Sequence, residues 1–325
     1  MSYFFLLFLS IVISYYFWFY VEDYYRKKLP FKFPIKLIII SLALLFVAYF
    51  VNFFGKSFTN RLSLNNLLIA NAVDSHFRCN VINYSFDRGQ KECKFLDSKY
   101  KNEIVLLGNS HAQMYGYAFE NIVKALSING RIFALDGCLP TTSYNISKEC
   151  IDKAAINLSK IIEDKNITAV LIGMNWDHSF LFDKYNNKIV KNVDLILVQS
   201  LHQLSLELNK YNKKIFVIGP ISIPEYNFAF DLSRKEYFKN NKILLPDYND
   251  KNNFEKRYQD IFNYLNNLQF VTLVKPHEVQ CTNSKCNFII NGKSIFSDNN
   301  HLSKDGSLLM QDLLLKSITD KKFKN

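Results

Sequence analysis

Hydrophobic and polar positions follow three regimes along the 325-residue chain. Residues 2–21 carry no charge and, at about 1.5 Å of rise per helical residue, are long enough to cross a hydrocarbon core of roughly 30 Å. A second uncharged run from Leu37 to Gly55 comes after a loop bearing Arg26, Lys27, Lys28, Lys32 and Lys36, so the pattern predicts a transmembrane hairpin over 1–56. Residues 57–100 are more polar and irregular and read as a connector packed on the domain C-terminal to it. From about residue 101 short apolar runs alternate with longer amphipathic ones, the pattern of an α/β domain with a parallel sheet. Strands are predicted at 103–108, 131–136, 168–174, 214–219 and 269–274, and helices near 111–127, 151–164, 190–210, 251–267 and 304–318. The strands are almost continuously hydrophobic, which implies a sheet buried on both faces by helices.

Composition narrows the class. With 49% hydrophobic, 15% aromatic and 21% charged residues, the chain is neither disordered, nor a coiled coil, nor collagen-like. Of the net charge of +11, residues 1–56 carry +4, and the remaining +7 comes from lysines dispersed among asparagines, without a basic stripe or finger, so nucleic acid is not an expected partner. By the positive-inside rule the loop 22–36 is cytoplasmic and residues 57–325 are external. Tyr15, Tyr16, Trp18, Tyr20, Tyr24 and Tyr25 surround the cytoplasmic end of the first span, as interfacial rings do. A cleaved signal peptide is the competing reading, but it wants basic residues before its apolar core, and here they come after it.

All six cysteines, Cys79, Cys93, Cys138, Cys150, Cys281 and Cys286, lie after the second span, as disulfides in an oxidising compartment require. Six cysteines allow 15 pairings. Local pairing, 79–93, 138–150 and 281–286, is the expectation. Their spacings lack the C-x₂-C knuckles of structural zinc, and His76, His178, His202 and His277 form no ligand spacing, so no metal is expected.

In open sheets ligands bind beyond the carboxyl ends of the strands, which directs the search for chemistry there. The first predicted strand ends in Gly108-Asn109-Ser110-His111-Ala112 and enters a helix, where N–H groups favour developing negative charge at Ser110. Ser110 is a nucleophile there, or only a helix N-cap. Asp298-Asn299-Asn300-His301 precedes the last helix, and one loop can supply both a base and the carboxylate that orients it. Alone, a D-x-x-H is more often a satisfied loop histidine; its value lies in the chain order Ser, Asp, His. Ser110 N–H, Gly137 after the second strand and Asn175 after the third are candidate oxyanion donors, with an ordinary turn glycine and a loop cap as the alternatives.

Ser110 in GNSHA, Gly137, Asn175 and Asp298-x-x-His301 resemble, in order, the four blocks of the SGNH hydrolase family. The Cys-Leu-Pro at 138–140 and the cysteine pair before D-x-x-H-L-S are similar to the SGNH domain joined to acyltransferase-3 membrane proteins. Asn109 stands where that family usually carries aspartate. The resemblance implies a flavodoxin-like three-layer α/β/α domain over 101–325 with Ser110, His301 and Asp298 as a triad. Residues 14–28 look like the end of the family's last membrane-domain helix, which implies that the part handling the acyl donor is absent from this chain. The function that the resemblance implies is that of a periplasmic, inner-membrane-anchored O-acyltransferase component acting on a cell-surface glycan such as lipopolysaccharide O-antigen. No cofactor is expected in the SGNH domain; an acetyl-CoA-derived acyl group would arrive through an acyltransferase-3 membrane partner. A carbohydrate O-acetylesterase uses the same triad, and a non-catalytic glycan-binding remnant is the reading from another class.

Overall fold

The computed structural model describes residues 90–237 and 246–322 continuously, with 84–87 and the isolated positions 15, 16, 19, 20, 43, 44, 46, 49 and 72 before them. The expected spans 2–21 and 37–55, the loop 22–36 and Cys79 therefore lie wholly or almost wholly outside the described residues. The chain divides into two units, Met1–Arg61 and Leu62–Asn325. In the first, Tyr15, Tyr16, Leu44, Phe46 and Tyr49 sit in helical turns and are exposed. Among the described residues no helix is long and apolar enough to cross a membrane.

The second unit is built on one sheet. Its strands are β1 (Tyr84–Asp87), β2 (Gln90–Phe95), β3 (Glu103–Gly108), β4 (Asn129–Ala134), β5 (Ile167–Gly173), β6 (Lys214–Ile218) and β7 (Val271–Val274), in the spatial order β1-β2-β4-β3-β5-β6-β7. β4, β3, β5, β6 and β7 are parallel. Counted among themselves they run 2-1-3-4-5, the flavodoxin-like order, whose switch point lies between β3 and β5. The sheet is nonetheless mixed: β1 and β2 form an antiparallel hairpin, and β2 adds antiparallel to β4 with Cys93 opposite Ile132. That hairpin falls inside the stretch read from sequence as an irregular connector. Its charges concealed it, because Glu92 is fully buried and its Oε1 accepts from Lys160 Nζ at 2.8 Å, while the neighbouring Cys93 packs into the opposite face.

Period-two alternation divides the buried strand residues between two cores. Val105, Leu107, Phe133, Val170 and Ile172 face one side, and Ile104, Leu106, Ile132, Ala169 and Leu171 the other. Helices cover both faces: α1 (Ser110–Gln113), α2 (Gly116–Leu126), α3 (Lys148–Glu163), α4 (Val193–Lys210), α5 (Phe228–Tyr237), α6 (Lys251–Asn266), α7 (His277–Gln280), α8 (Lys304–Leu309) and α9 (Gln311–Lys322). α4 presents Leu197, Leu201, Leu204 and Leu208 to the first core at helical spacing, and each such side chain stabilises the fold by roughly 1.5–3 kcal/mol on burial. On the other face α2 supplies Ala118, Phe119, Ile122 and Val123.

Two helices read as continuous are interrupted. The stretch 111–127 breaks after Gln113, where Met114 and Tyr115 drop into the core, and 304–318 breaks at the fully buried Met310. Cys138 is bonded to Cys150 and Cys281 to Cys286, as local pairing expects. Cys93 is disulfide-bonded as well.

Candidate active site

Three chain segments meet at the carboxyl ends of β3, β4 and β5. Gly108 ends β3 with φ +147°, and a Cβ there would lie 1.7 Å from the carbonyl oxygen of Gly173, its partner on β5. Gly173 in turn lets Ala112 approach so closely that a Cβ would sit 2.9 Å from its Cα. The two glycines thus draw β3, β5 and α1 together. Asn109 is the N-cap of α1: its Oδ1 accepts from His111 N at 2.9 Å and from Asn175 N at 3.3 Å. An N-cap needs an acceptor rather than a charge, so asparagine serves where the family usually has aspartate. Because Asn109 holds the cap, the Ser110 hydroxyl is released from it. α1 is a single turn of four residues, so the long-helix dipole expected behind Ser110 is absent, and individual N–H groups must meet any developing charge.

Ser110 Oγ lies 2.8 Å from His301 Nε2, and His301 Nδ1 lies 2.8 Å from Asp298 Oδ2. Asp298 Oδ1 accepts from the backbone N–H groups of Asn300 (2.7 Å) and His301 (2.6 Å), so one carboxylate closes the turn and orients the ring. Burial disfavours the Asp298 charge, but the hydrogen bond and charge of His301, with the two backbone donors, outweigh it and hold the carboxyl below its ordinary range. An ionised Asp298 accepts the hydrogen bond of Nδ1–H, leaving Nε2 to accept from the Ser110 hydroxyl. The rest of the block fastens this loop: Leu302 is fully buried, Ser303 caps α8 through Gly306 N, and Gly306 leaves no room for a Cβ beside the Ile295 carbonyl (2.0 Å).

His111, to which the sequence lent no chemistry, is part of the site. Its Nε2 is 2.9 Å from Asn300 Oδ1, and its ring lies 5.5 Å from that of His301. Burial above all, then the neighbouring His301, pushes His111 down to about 4, so it is neutral and donates Nε2–H to Asn300 near neutral pH. Only the meeting of α1 with the 298–301 loop reveals this contact.

Gly137 lies in a tight turn after β4, with φ +73° and no atom within 4 Å of a Cβ built there. The turn is closed by Cys138 N to Leu135 O (2.7 Å) and tied to β3 by Leu135 N to Gly108 O (2.8 Å). Gln113, buried on α1, donates Nε2 to Asp136 Oδ1 at 2.8 Å and so links the Ser110 turn to the Gly137 turn. Its Oε1 is buried without a partner among the described residues. Sequence offered no signal for Gln113. Asn175 comes directly after β5 and is held on three sides: its N–H by Asn109, its carbonyl by His178 Nε2 (3.0 Å), and its Oδ1 by Asp177 N (3.0 Å). That last bond occupies Oδ1 and leaves Nδ2 available to donate. The adjacent Trp176 is buried, its Nε1 donating to Ile218 O at 3.2 Å. The arrangement can deprotonate a hydroxyl and offer hydrogen bonds to an oxyanion. Of the other histidines, His277 is buried against Phe254 and Phe262, and among the described residues no cluster of three or more metal-ligating side chains occurs.

No curated protein matches the chain in sequence. In structure it is similar to the periplasmic domain of a lipopolysaccharide acetyltransferase of Salmonella ser. Paratyphi A, with 16% identity, 69% of this chain and 84% of that one covered, and a TM-score of 0.49. It is also similar to a protein assigned as an SGNH hydrolase from Slackia heliotrinireducens (11% identity, 67% and 98% covered, TM-score 0.41). An assigned acylhydrolase of Bacteroides fragilis has 12% identity, 69% and 89% covered, and a TM-score of 0.38. Residues 78–316 match the family described as the SGNH domain fused to AT3 domains. With well over half of its length inside that match, the chain belongs to this family of SGNH domains.

Proposed function

We propose that the chain is a membrane-anchored O-acyltransferase component that transfers an acetyl group to a hydroxyl of a cell-surface polysaccharide through an acyl-enzyme on Ser110. The observation that carries this is the hydrogen-bonded line from Ser110 Oγ through His301 to Asp298, at 2.8 Å in both steps. As Ser110 Oγ bonds to the acyl carbonyl carbon, its proton passes to His301 Nε2, and Asp298 stabilises the imidazolium. The oxyanion is met by Ser110 N–H, Gly137 N–H and Asn175 Nδ2. Collapse breaks the bond to the donor's leaving group, which takes the proton from His301. A sugar hydroxyl then attacks the acyl-serine, gives its proton to His301, and leaves as the ester while Ser110 regains its hydrogen.

Three further points support the reading. The family's fusion to AT3 domains favours transfer, with an acyltransferase-3 membrane partner delivering a group derived from acetyl-CoA. The niche beside His111 and Asn175, walled by Met114, Trp176, Ile218 and Ile221, has only about 10 Å³ of internal space. That is roughly one water, too little for a long acyl chain to be held within it. The disulfides, together with the basic loop 22–36, argue for a periplasmic domain behind an inner-membrane hairpin.

The test is hydrolysis of p-nitrophenyl acetate by the full-length protein in detergent, with water standing in for the sugar. Ser110→Ala and His301→Ala should each lower the rate by ~10³-fold or more, and the double variant should be little worse, because the groups act as a unit. Undiminished hydrolysis by Ser110→Ala would remove the nucleophile assignment.

A further inference from the structure

A second cavity, of about 300 Å³, adjoins the niche and shares Ile221, Ile223 and Tyr258 with it. Together they form one groove that leads from Asn175, past Asp177 and Tyr258, to Asn249 and Asn253 at the start of α6. Its volume is at the lower end of small-molecule clefts, about 300–1,000 Å³.

Among the described residues lining the groove, carboxylates outnumber the single cation, Arg257, which is itself paired. Arg257 Nη2 is 2.9 Å from Asp177 Oδ1 and its Nη1 3.4 Å from Asp194 Oδ2, so two carboxylates surround one guanidinium. Glu225 and Asp250, also lining it, are negative. A phosphate or carboxylate ligand finds no unpaired cation here, which argues against the groove as the seat of a nucleotide-bearing acyl donor. The groove retains hydrogen-bonding capacity of both signs. Asn249 gives Nδ2 to Ser222 Oγ and to the Ile223 carbonyl, both at 2.9 Å, which fixes the amide and turns Oδ1 away as an acceptor. Asn253 is exposed, and its side-chain amide has no protein partner among the described residues. Tyr258 donates its hydroxyl to Asp177, which in turn bonds Asn175, so the groove wall and the candidate oxyanion donor belong to one hydrogen-bonded unit. Ile221 and Phe254 supply apolar surface between the amides. Fixed amides, apolar patches and carboxylates that can accept hydrogen bonds, with no unpaired cation to draw an anion, suit the hydroxyls and C–H faces of an uncharged sugar.

We propose that this groove is the acceptor site and that it takes a neutral saccharide, one hydroxyl of which is aimed at the acyl-serine. The proposal rests on the acyl-transfer reading above. Its test uses the full-length protein with p-nitrophenyl acetate as donor and maltose, lactose and methyl mannoside as acceptor probes, tracking acetylated sugar by mass spectrometry. The expected result is saturable formation of an acetylated neutral sugar, with a half-saturating concentration raised roughly tenfold or more by Asn253→Trp, which fills the groove from an exposed helix position, and less by Asn253→Ala. Three results overturn it: Ser110-dependent hydrolysis with no acetylated neutral sugar, a half-saturation unmoved by Asn253→Trp, or a preference for galacturonate over the neutral probes. If instead hydrolysis persists in Ser110→Ala, the acyl-enzyme reading itself fails, and the groove loses its role with it.

Discussion

His111 and Asn300, 189 positions apart in sequence, are joined by a hydrogen bond of 2.9 Å. It runs parallel to the Ser110–His301 contact and ties the same two segments, α1 and the 298–301 loop, a second time. Asn300 also gives its N–H to Asp298, so the bond reaches the orienting carboxylate through one residue.

His111 therefore acts as a positioning residue, and its removal should lower kcat with little change in KM. We expect His111→Phe to reduce p-nitrophenyl acetate hydrolysis by about tenfold, because a misplacement of about 1 Å is costly to an oriented reaction. His111→Gln, which keeps a donor, should recover most of it. Equal losses for the two variants would assign His111 to packing alone.

Acid should destabilise the domain before its carboxylates titrate. His111 and His277 are both held down to about 4 by burial, from an ordinary 6.5. Between these values the unfolded chain binds protons that the folded one does not, so stability falls as pH drops from 6.5 towards 4. His277 alone should cost about 1–2 kcal/mol at pH 5. Its Nδ1 is buried between two phenylalanines without a partner among the described residues, so His277→Phe should flatten that part of the pH dependence in urea denaturation. An unchanged slope between pH 7 and pH 5 would speak against it. Asp298 has the same sign in a lower window: its lowered value adds stability that is present above the ordinary carboxylate range and is lost as pH falls through the folded-state value.

The glycines of the site should respond unequally to alanine. Gly108→Ala drives a Cβ into the Gly173 carbonyl and should destabilise by several kcal/mol or prevent folding. At Gly137 a Cβ meets nothing, so alanine costs only its positive φ, about 1 kcal/mol, and leaves the N–H in place. Denaturation midpoints of the two variants decide this, and similar midpoints would contradict the close approach of β3 and β5.

Reduction should act more strongly through Cys138–Cys150 than through Cys281–Cys286, since the closed loops differ in separation, 12 against 5. Loop-closure entropy puts the contributions at about 3 and about 2 kcal/mol. Serine pairs replacing each bridge, compared by thermal melting, measure the difference. Loss of the first should also reduce hydrolysis, because Cys138 ends the turn that carries Gly137.

By itself the sequence determined the five parallel strands, most of the helices around them and the two outer blocks of the site. Near-continuous apolar runs, amphipathic spacing and the turn chemistry of Gly108-Asn109-Ser110 and Asp298-x-x-His301 are local properties, legible without knowing any neighbour. Tertiary structure alone decided what depends on distant partners. Glu92 reads as a surface charge until Lys160, 68 residues on, meets it inside the fold and turns a supposed connector into a strand. Ser110 could have been a cap until Asn109 was seen to take that role by bonding both His111 and Asn175. The pairing of Gln113 with Asp136, of His111 with Asn300, and of Tyr258 with Asp177 leaves no trace in spacing or periodicity. Such bonds form only after strand order has set which loops lie side by side at the end of the sheet, and no local preference specifies that order.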